Sequence, residues 1–356
     1  MNATKKWGIA TIAITLVLIL LLGGLTVLID PFFHYHAPLE SLQYPINNQR
    51  YQNDGIVKNF SYDALITGTS LTENFKTSEL DALFGVNSIK VCYSGGTNSE
   101  VVNNLQRAIA ANPDIKYVFY GIDEWHLLTG TVLIEADGEY PTYLYDDDLL
   151  NDVEYVLNKE VLCGSTLEVF HYTNSGQKTT SFDDYSSWVY PYGADVVLSS
   201  YVQPEKVDTL REFTDSHASQ LSENLRSGLL KLALENPDIQ FYCFFPPYSI
   251  LNWYNHTLAG TLAHQVRQFT LATEILLEAE NIKLFSFYTD YETITNLDNY
   301  RDRVHYSNEI NSLILRRMYA GEYLLTRENY EAHWQEVLEH YQNFDYSTIF
   351  TAPQTP

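Results

Sequence analysis

The sequence predicts an α/β protein: a three-layer α/β/α domain around a central parallel sheet, preceded by one N-terminal transmembrane helix. Three observations predict it. Apolar runs of about four to eight residues, the pattern of strands buried on both faces, alternate with amphipathic stretches. The runs end in turns rich in Gly, Pro and Asp. Before all of them, Trp7 to Ile29 runs without a charge.

That run of 23 residues is long enough to span a bilayer with some tilt. Lys5 and Lys6 precede it and Asp30 follows, so the positive-inside rule places residues 1–6 in the cytoplasm and the remainder outside. The run is too long for the apolar core of a signal peptide and no Ala-x-Ala site follows, so an uncleaved anchor is expected. Residues 30–60 hold Pro, aromatics and amides without a period, and form a juxtamembrane segment lying on the main domain. His34 and His36 lie there with no carboxylate or cysteine pattern around them, and are expected to be ordinary surface histidines.

The main domain is expected over 61–320. Its first unit is "YDALITGTS" followed by a helix over Leu71–Phe84, with Gly85 as C-cap. The second is "SIKVCYSGG", running into Gly95-Gly96, followed by a helix near Ser99–Ala111. "IKYVFYGID" is the third strand. The stretches "AIAANPDIKYVFYGID" and "LALENPDIQFYCFFPP" repeat one plan of helix, Asn-Pro-Asp-Ile turn and apolar strand, as alternating β and α with parallel strands requires. Between them, about 130–215 breaks the pattern. This insertion begins with a helix in "YLYDDDLLNDVEYVLNKEVL" and is placed over one end of the sheet. A helix at about 216–235, the strand "IQFYCFF", a long helix from His256 to Glu280, the strand "IKLFSFY" and a helix from Ser307 follow. Residues 321–356 form a C-terminal helix and tail, with Trp334, Val337, Leu338 and Tyr341 on one apolar face.

Composition narrows the function. The chain of 356 residues carries a net charge of −24. Setting aside Lys5 and Lys6 leaves nineteen basic against forty-five acidic residues outside, a charge of −26. Such a domain repels nucleic acid, so no nucleic-acid partner is expected. A neutral glycan or a small acyl donor fits better. Twenty-eight tyrosines suit half-buried surfaces that meet polar ligands. Cys92, Cys163 and Cys243 match no zinc or redox spacing; an odd count leaves one thiol unpaired in any case, and buried free thiols are expected. No metal or cofactor motif is present.

In an open parallel sheet the site lies at the carboxyl ends of the strands. Those ends hold Gly68-Thr69-Ser70, Tyr93-Ser94-Gly95-Gly96, Gly121-Ile122-Asp123, Pro246-Pro247-Tyr248 and the loop "NLDNYRDRVHYS". A serine needs a base to take its proton, and the base needs orienting. His305 is the candidate base for Ser70. Asp302, three residues earlier, is placed to fix its tautomer. The N–H groups of Ser70 and of Gly95 or Gly96, with Asn98 near by, are candidate oxyanion donors, each worth about 2.7–4 kcal/mol of barrier when well placed. Asp-x-x-His occurs a second time as Asp123-Glu124-Trp125-His126; Trp125 and His126 there, and Tyr248 at another strand end, are secondary candidates.

This arrangement resembles the SGNH (GDSL-like) hydrolase superfamily over roughly 61–320. There the nucleophile lies in a Gly-Asp-Ser block after strand one, an oxyanion glycine follows strand two, a Gly-x-Asn block follows strand three, and Asp-x-x-His closes the domain. The counterparts here are Gly68-Thr69-Ser70, the Gly95-Gly96 turn and Asp302-Arg303-Val304-His305. The third block departs, with Asp123 where the family has its oxyanion Asn. The resemblance implies an SGNH/flavodoxin-like fold around a central parallel sheet and a serine esterase or O-acyltransferase needing no cofactor or metal. A membrane anchor ahead of such a domain is similar to proteins of D-alanyl-lipoteichoic acid transfer and of alginate acetylation. That implies an acyl ester or glycan substrate of the cell envelope and a membrane acyl-transfer partner. The alternative is an inactive SGNH-fold protein that binds glycan through Trp125, Trp188 and the tyrosines.

Overall fold

The structure, a computed structural model, describes residues 3–128 and 140–351. It is a mixed α/β protein that divides into two compact units: Met1–Ser61 with Glu135–Ser181, and Tyr62–Ile134 with Phe182–Pro356. The insertion expected at 130–215 is therefore not one body. Its first part belongs with the N-terminal segment and its second part, from Phe182, with the sheet.

The sheet has six strands: β1 (Ala64–Gly68), β2 (Ser88–Cys92), β3 (Tyr117–Gly121), β4 (Gln240–Phe245), β5 (Ile282–Ser286) and β6 (Leu324–Leu325). Their order is β2-β1-β3-β4-β5-β6. The first five are parallel, and β6 joins the edge antiparallel to β5. Every residue of β1 and β2 is buried, which is why these strands read as largely apolar runs, interrupted in β2 by Lys90. The two Asn-Pro-Asp-Ile turns lead into neighbours: Tyr117 of β3 pairs with Gln240 of β4. The chain enters at β1 and steps to β2 on one side and β3 on the other. That reversal opens a crevice at the carboxyl ends of β1 and β3.

Helices in this unit form two packed sets. Thr77–Phe84 lies against Asn308–Ala320. Asp215–Ser227, Glu124–Leu128, Leu229–Glu235, Leu262–Leu276 and Tyr330–Asn343 form the other, with Trp334, Val337 and Tyr341 buried.

Several expected helices are shorter than their sequence period suggests. The helix expected over Leu71–Phe84 is a 3-10 turn, Ser70–Thr72, followed by a helix only from Thr77. The buried Lys90 ammonium explains the break: it donates to the carbonyls of Glu73 and Phe75, which a continuous helix would occupy. Gly85 is the left-handed C-cap expected (φ 68°). The helix from His256 to Glu280 is two, Ile250–Leu258 and Leu262–Leu276, with Gly260 between them at φ 65°. The helix at 216–235 breaks at Gly228.

In the other unit, the helix Ala3–Ile29 is, among the described residues, the one long and apolar enough to cross a membrane. Its last turns are built into the unit: Gly23, Thr26 and Ile29 are buried. Asp30 follows at φ 47°, and its carboxylate accepts the N–H groups of His34, Tyr35 and His36 and the Tyr155 hydroxyl. His34 bonds Asp152 and His36 reaches the Val27 carbonyl, and both residues stay partly exposed. The "YLYDDDLLNDVEYVLNKEVL" segment holds no single helix. It contains short turns and Val153–Val156, and its end runs into a π-helical turn at Val161–Ser165, followed by the helix Thr166–Asn174. Cys92 and Cys243 are buried free thiols as expected, whereas the free Cys163 is exposed.

Candidate active site

The end of β1 is shaped by crowding. Gly68 sits at φ 146°, and a Cβ there would meet the Thr72 methyl at 2.8 Å. A Cβ on Gly121, ending β3, would meet the same methyl at 2.6 Å. Thr72 thus wedges between the two strand ends, and its hydroxyl donates to the Thr69 carbonyl. This closes the 3-10 turn that turns Ser70 outward, half-exposed.

Ser70 Oγ lies 2.8 Å from His305 Nε2 across 235 residues of sequence. His305 Nδ1 lies 2.7 Å from Asp302 Oδ2. The other oxygen of Asp302 accepts the N–H groups of Val304 and His305, both at 2.9 Å, so the carboxylate is locked by its own turn before it meets the ring. Burial opposes the Asp302 anion, but the His305 hydrogen bonds and charge, with these two N–H groups, outweigh it and hold the carboxyl at about 2. A fixed carboxylate on Nδ1 leaves Nε2 as the acceptor for the serine proton. Trp188 sets its ring edge-on to His305, centroids 5.7 Å apart, and Arg301 stacks over Trp188 and Tyr190.

Of the expected oxyanion donors, the structure favours two. The Ser70 N–H opens the 3-10 turn, where no helical acceptor is available to it. Tyr93 to Gly96 form a turn with Gly95 at φ 59°, in which the Gly96 N–H donates to the Tyr93 carbonyl at 2.8 Å. Gly96 is therefore spent and Gly95 is the free donor on that strand end. The register pairing Gly68 with Cys92 sets this turn beside Ser70. Because the helix at Ser70 is only a 3-10 turn, the expected helix N-terminus there is absent. The next helix, Asn98–Ala111, is capped by a Thr97–Glu100 box, and the Asn98 amide oxygen accepts the Tyr120 hydroxyl.

Asp123 is an acceptor hub. Its carboxylate takes the Thr69 hydroxyl at 3.1 Å and the Tyr248 hydroxyl at 2.5 Å, and Tyr248 in turn accepts the Glu124 N–H. It ties together the ends of β1, β3 and β4. In its bonds to Thr69 and Tyr248, position 123 is the acceptor. His126 is buried with Nε2 on the Gly96 carbonyl, and burial lowers its pKa. It does not join Ser70. The side chain of Trp125 lies outside the described residues. Sequence reasoning did not single out Thr69 or Lys90: a threonine inside the nucleophile block and a lysine inside an apolar strand were the only signals. Among the described residues no cluster of three or more His, Cys, Asp or Glu could hold a metal.

No protein-family model matches the chain. No curated protein matches it. A solved structure from Streptococcus pneumonia, provisionally described as a platelet activating factor, aligns with a TM-score of 0.40 and 11% identity over 76% of this chain and 90% of that one.

Proposed function

We propose that the protein is an exported, membrane-anchored serine esterase or O-acyltransferase of SGNH type, built as a three-layer α/β/α domain and acting on cell-envelope glycan or polymer esters. The single observation that carries the reading is the continuous Ser70–His305–Asp302 relay, with bonds of 2.8 and 2.7 Å. Ser70 Oγ attacks the ester carbonyl carbon as its proton passes to His305 Nε2. Asp302 stabilises the imidazolium. The negative charge gathers on the former carbonyl oxygen, facing the N–H groups of Ser70 and Gly95. Collapse breaks the C–O bond to the alcohol, which leaves with the proton from His305. Water or a sugar hydroxyl then attacks the acyl-serine with His305 as base, which returns the Ser70 proton. A membrane acyl-transfer partner is a natural source of the acyl group for the transferase form.

The anchored topology, N-terminus inside and the site outside, is supported by Lys5 and Lys6 ahead of the apolar run and by the way its end is used. The Tyr44 hydroxyl donates to the Ile29 carbonyl, and Asp30 holds three N–H groups and a tyrosine. Cleavage near this point would cut through a folded collar. A fluorophosphonate probe applied to the full chain tests the function: labelling that disappears in Ser70→Ala is expected. Folded protein that takes no label at neutral pH would favour instead a catalytically silent glycan binder, a reading to which the acceptor role of Asp123 lends weight.

A further inference from the structure

Beside the N-terminal helix lies a second apolar surface that the active-site reading does not use. Gly23 packs against Val156 and Leu157; a Cβ at Gly23 would meet Val156 Cγ1 at 2.9 Å. Between this segment and the helix runs a groove of about 530 Å³, lined by Ile19, Leu20 and Val27 on one side and Leu149, Val153 and Leu157 on the other. Asp152 and Tyr35 also reach it, but their polar atoms are tied to each other at 2.9 Å, and Asp152 holds His34 as well. Leu149 is 74% and Leu150 87% exposed, and Val153, Leu157 and Leu167 are exposed with them. Leu167 stands on the helix Thr166–Asn174, which also packs on the N-terminal helix.

Depth is the decisive quantity. Gly23 lies six residues before Ile29, and Ile19 ten, so the contacts fall about 9–15 Å down the helix at 1.5 Å per residue. A helix whose apolar length matches a hydrocarbon core of about 30 Å carries that stretch inside the lipid. A cluster of large exposed apolar side chains at that level, continuous along the groove with the exposed side chains of Leu20 and Val27, matches a lipid surface in kind. Asp146, Asp147 and Asp148 immediately precede it and the exposed Glu154 lies between its apolar side chains, so its attraction is apolar and owes nothing to anionic headgroups.

We propose that Leu149, Leu150, Val153 and Leu157, with Leu167, form a second membrane contact whose side chains insert among the acyl chains of the leaflet beside the anchor. This rests on the helix being a retained membrane span. The test uses the full chain in phosphatidylcholine vesicles with Cys163→Ser and an environment-sensitive fluorophore on Leu150→Cys. Parallel samples carry the fluorophore on Leu20→Cys, within the helix, and on Ser175→Cys, at the far end of the helix that starts at Thr166. Nitroxides attached to the lipid acyl chains are expected to quench positions 20 and 150 strongly and position 175 weakly. Quenching at 20 with none at 150 overturns the proposal and leaves the anchor intact. Failure at 20 overturns both. A blue-shifted but unquenched signal at 150 means that protein covers the patch, and also overturns it. Since Leu150 is an exposed side chain, the labelled chain retains its fold; vesicles enriched in anionic lipid should give no stronger quenching.

Discussion

The sheet unit contains two Asp-x-x-His sequences, and they do opposite things. At Asp302–His305 the aspartate accepts two backbone N–H groups through one oxygen, which aims the other at the imidazole, 2.7 Å away. The ring is half-exposed and its far nitrogen meets Ser70. At Asp123–His126 the same spacing lies at the start of a short helix. The His126 N–H bonds the Asp123 carbonyl, the ring turns inward to Gly96, and the carboxylate faces two hydroxyls. Spacing brings a carboxylate and an imidazole within reach of one another. The turn's own hydrogen bonds decide whether they meet.

The comparison breaks most easily at the two histidines. His305→Ala should lower fluorophosphonate labelling by about 10³-fold or more, as loss of a triad base does. His126→Ala should leave labelling of the folded protein within about tenfold and instead cost about 1–3 kcal/mol of stability, read by denaturant unfolding, because it strips a buried carbonyl of its partner. Equal losses of labelling would erase the distinction between the two motifs.

Asp302→Asn should reduce the labelling rate by about 10³–10⁴-fold, since the amide no longer fixes the acceptor tautomer. Its stability effect should depend on pH. The folded carboxyl sits at about 2, below an unfolded value of about 3.9. The ionised group therefore favours folding above the unfolded value, and that contribution fades as pH falls from about 4 to about 2. The wild type should melt above the variant at neutral pH and converge with it in acid. A difference in melting temperature that persists unchanged to pH 2 would remove the electrostatic account.

Much of the candidate site was legible because strands buried on both faces leave an apolar signature, and in an open parallel sheet their carboxyl ends share one rim. Ser70, His305 and Asp302 follow from that placement. What the sequence concealed depends on long-range partners. The helix after Ser70 fails to form because Lys90, 17 positions beyond Glu73 and 15 beyond Phe75, claims their carbonyls. Gly95 and Gly96 are indistinguishable as letters, and only the closed turn shows which N–H is spent. The edge strand Leu324–Leu325 is two residues long, too short for any period. The division of 130–215 between two units is a matter of tertiary packing, with no composition boundary at 181 to announce it.

The smallest effects sharpen the role of Asp123. If its carboxylate works as an acceptor for Thr69 and Tyr248, then Asp123→Asn replaces one acceptor oxygen with a donor that faces a hydroxyl. The expected cost is about 1–3 kcal/mol of stability with no gain in labelling. Tyr248→Phe removes one of those hydroxyls and leaves the Glu124 N–H without its acceptor. About 1–2 kcal/mol should be lost, with labelling changed less than in either histidine variant. The double variant closes the test. Asp123 and Tyr248 share one hydrogen bond of 2.5 Å, so their costs should fall short of additivity. Full additivity would mean that the two side chains act apart. An Asp123→Asn variant that labels faster than wild type would instead show that position 123 faces the oxyanion after all, and that the chain gives up rate there for the bond that ties three strand ends together.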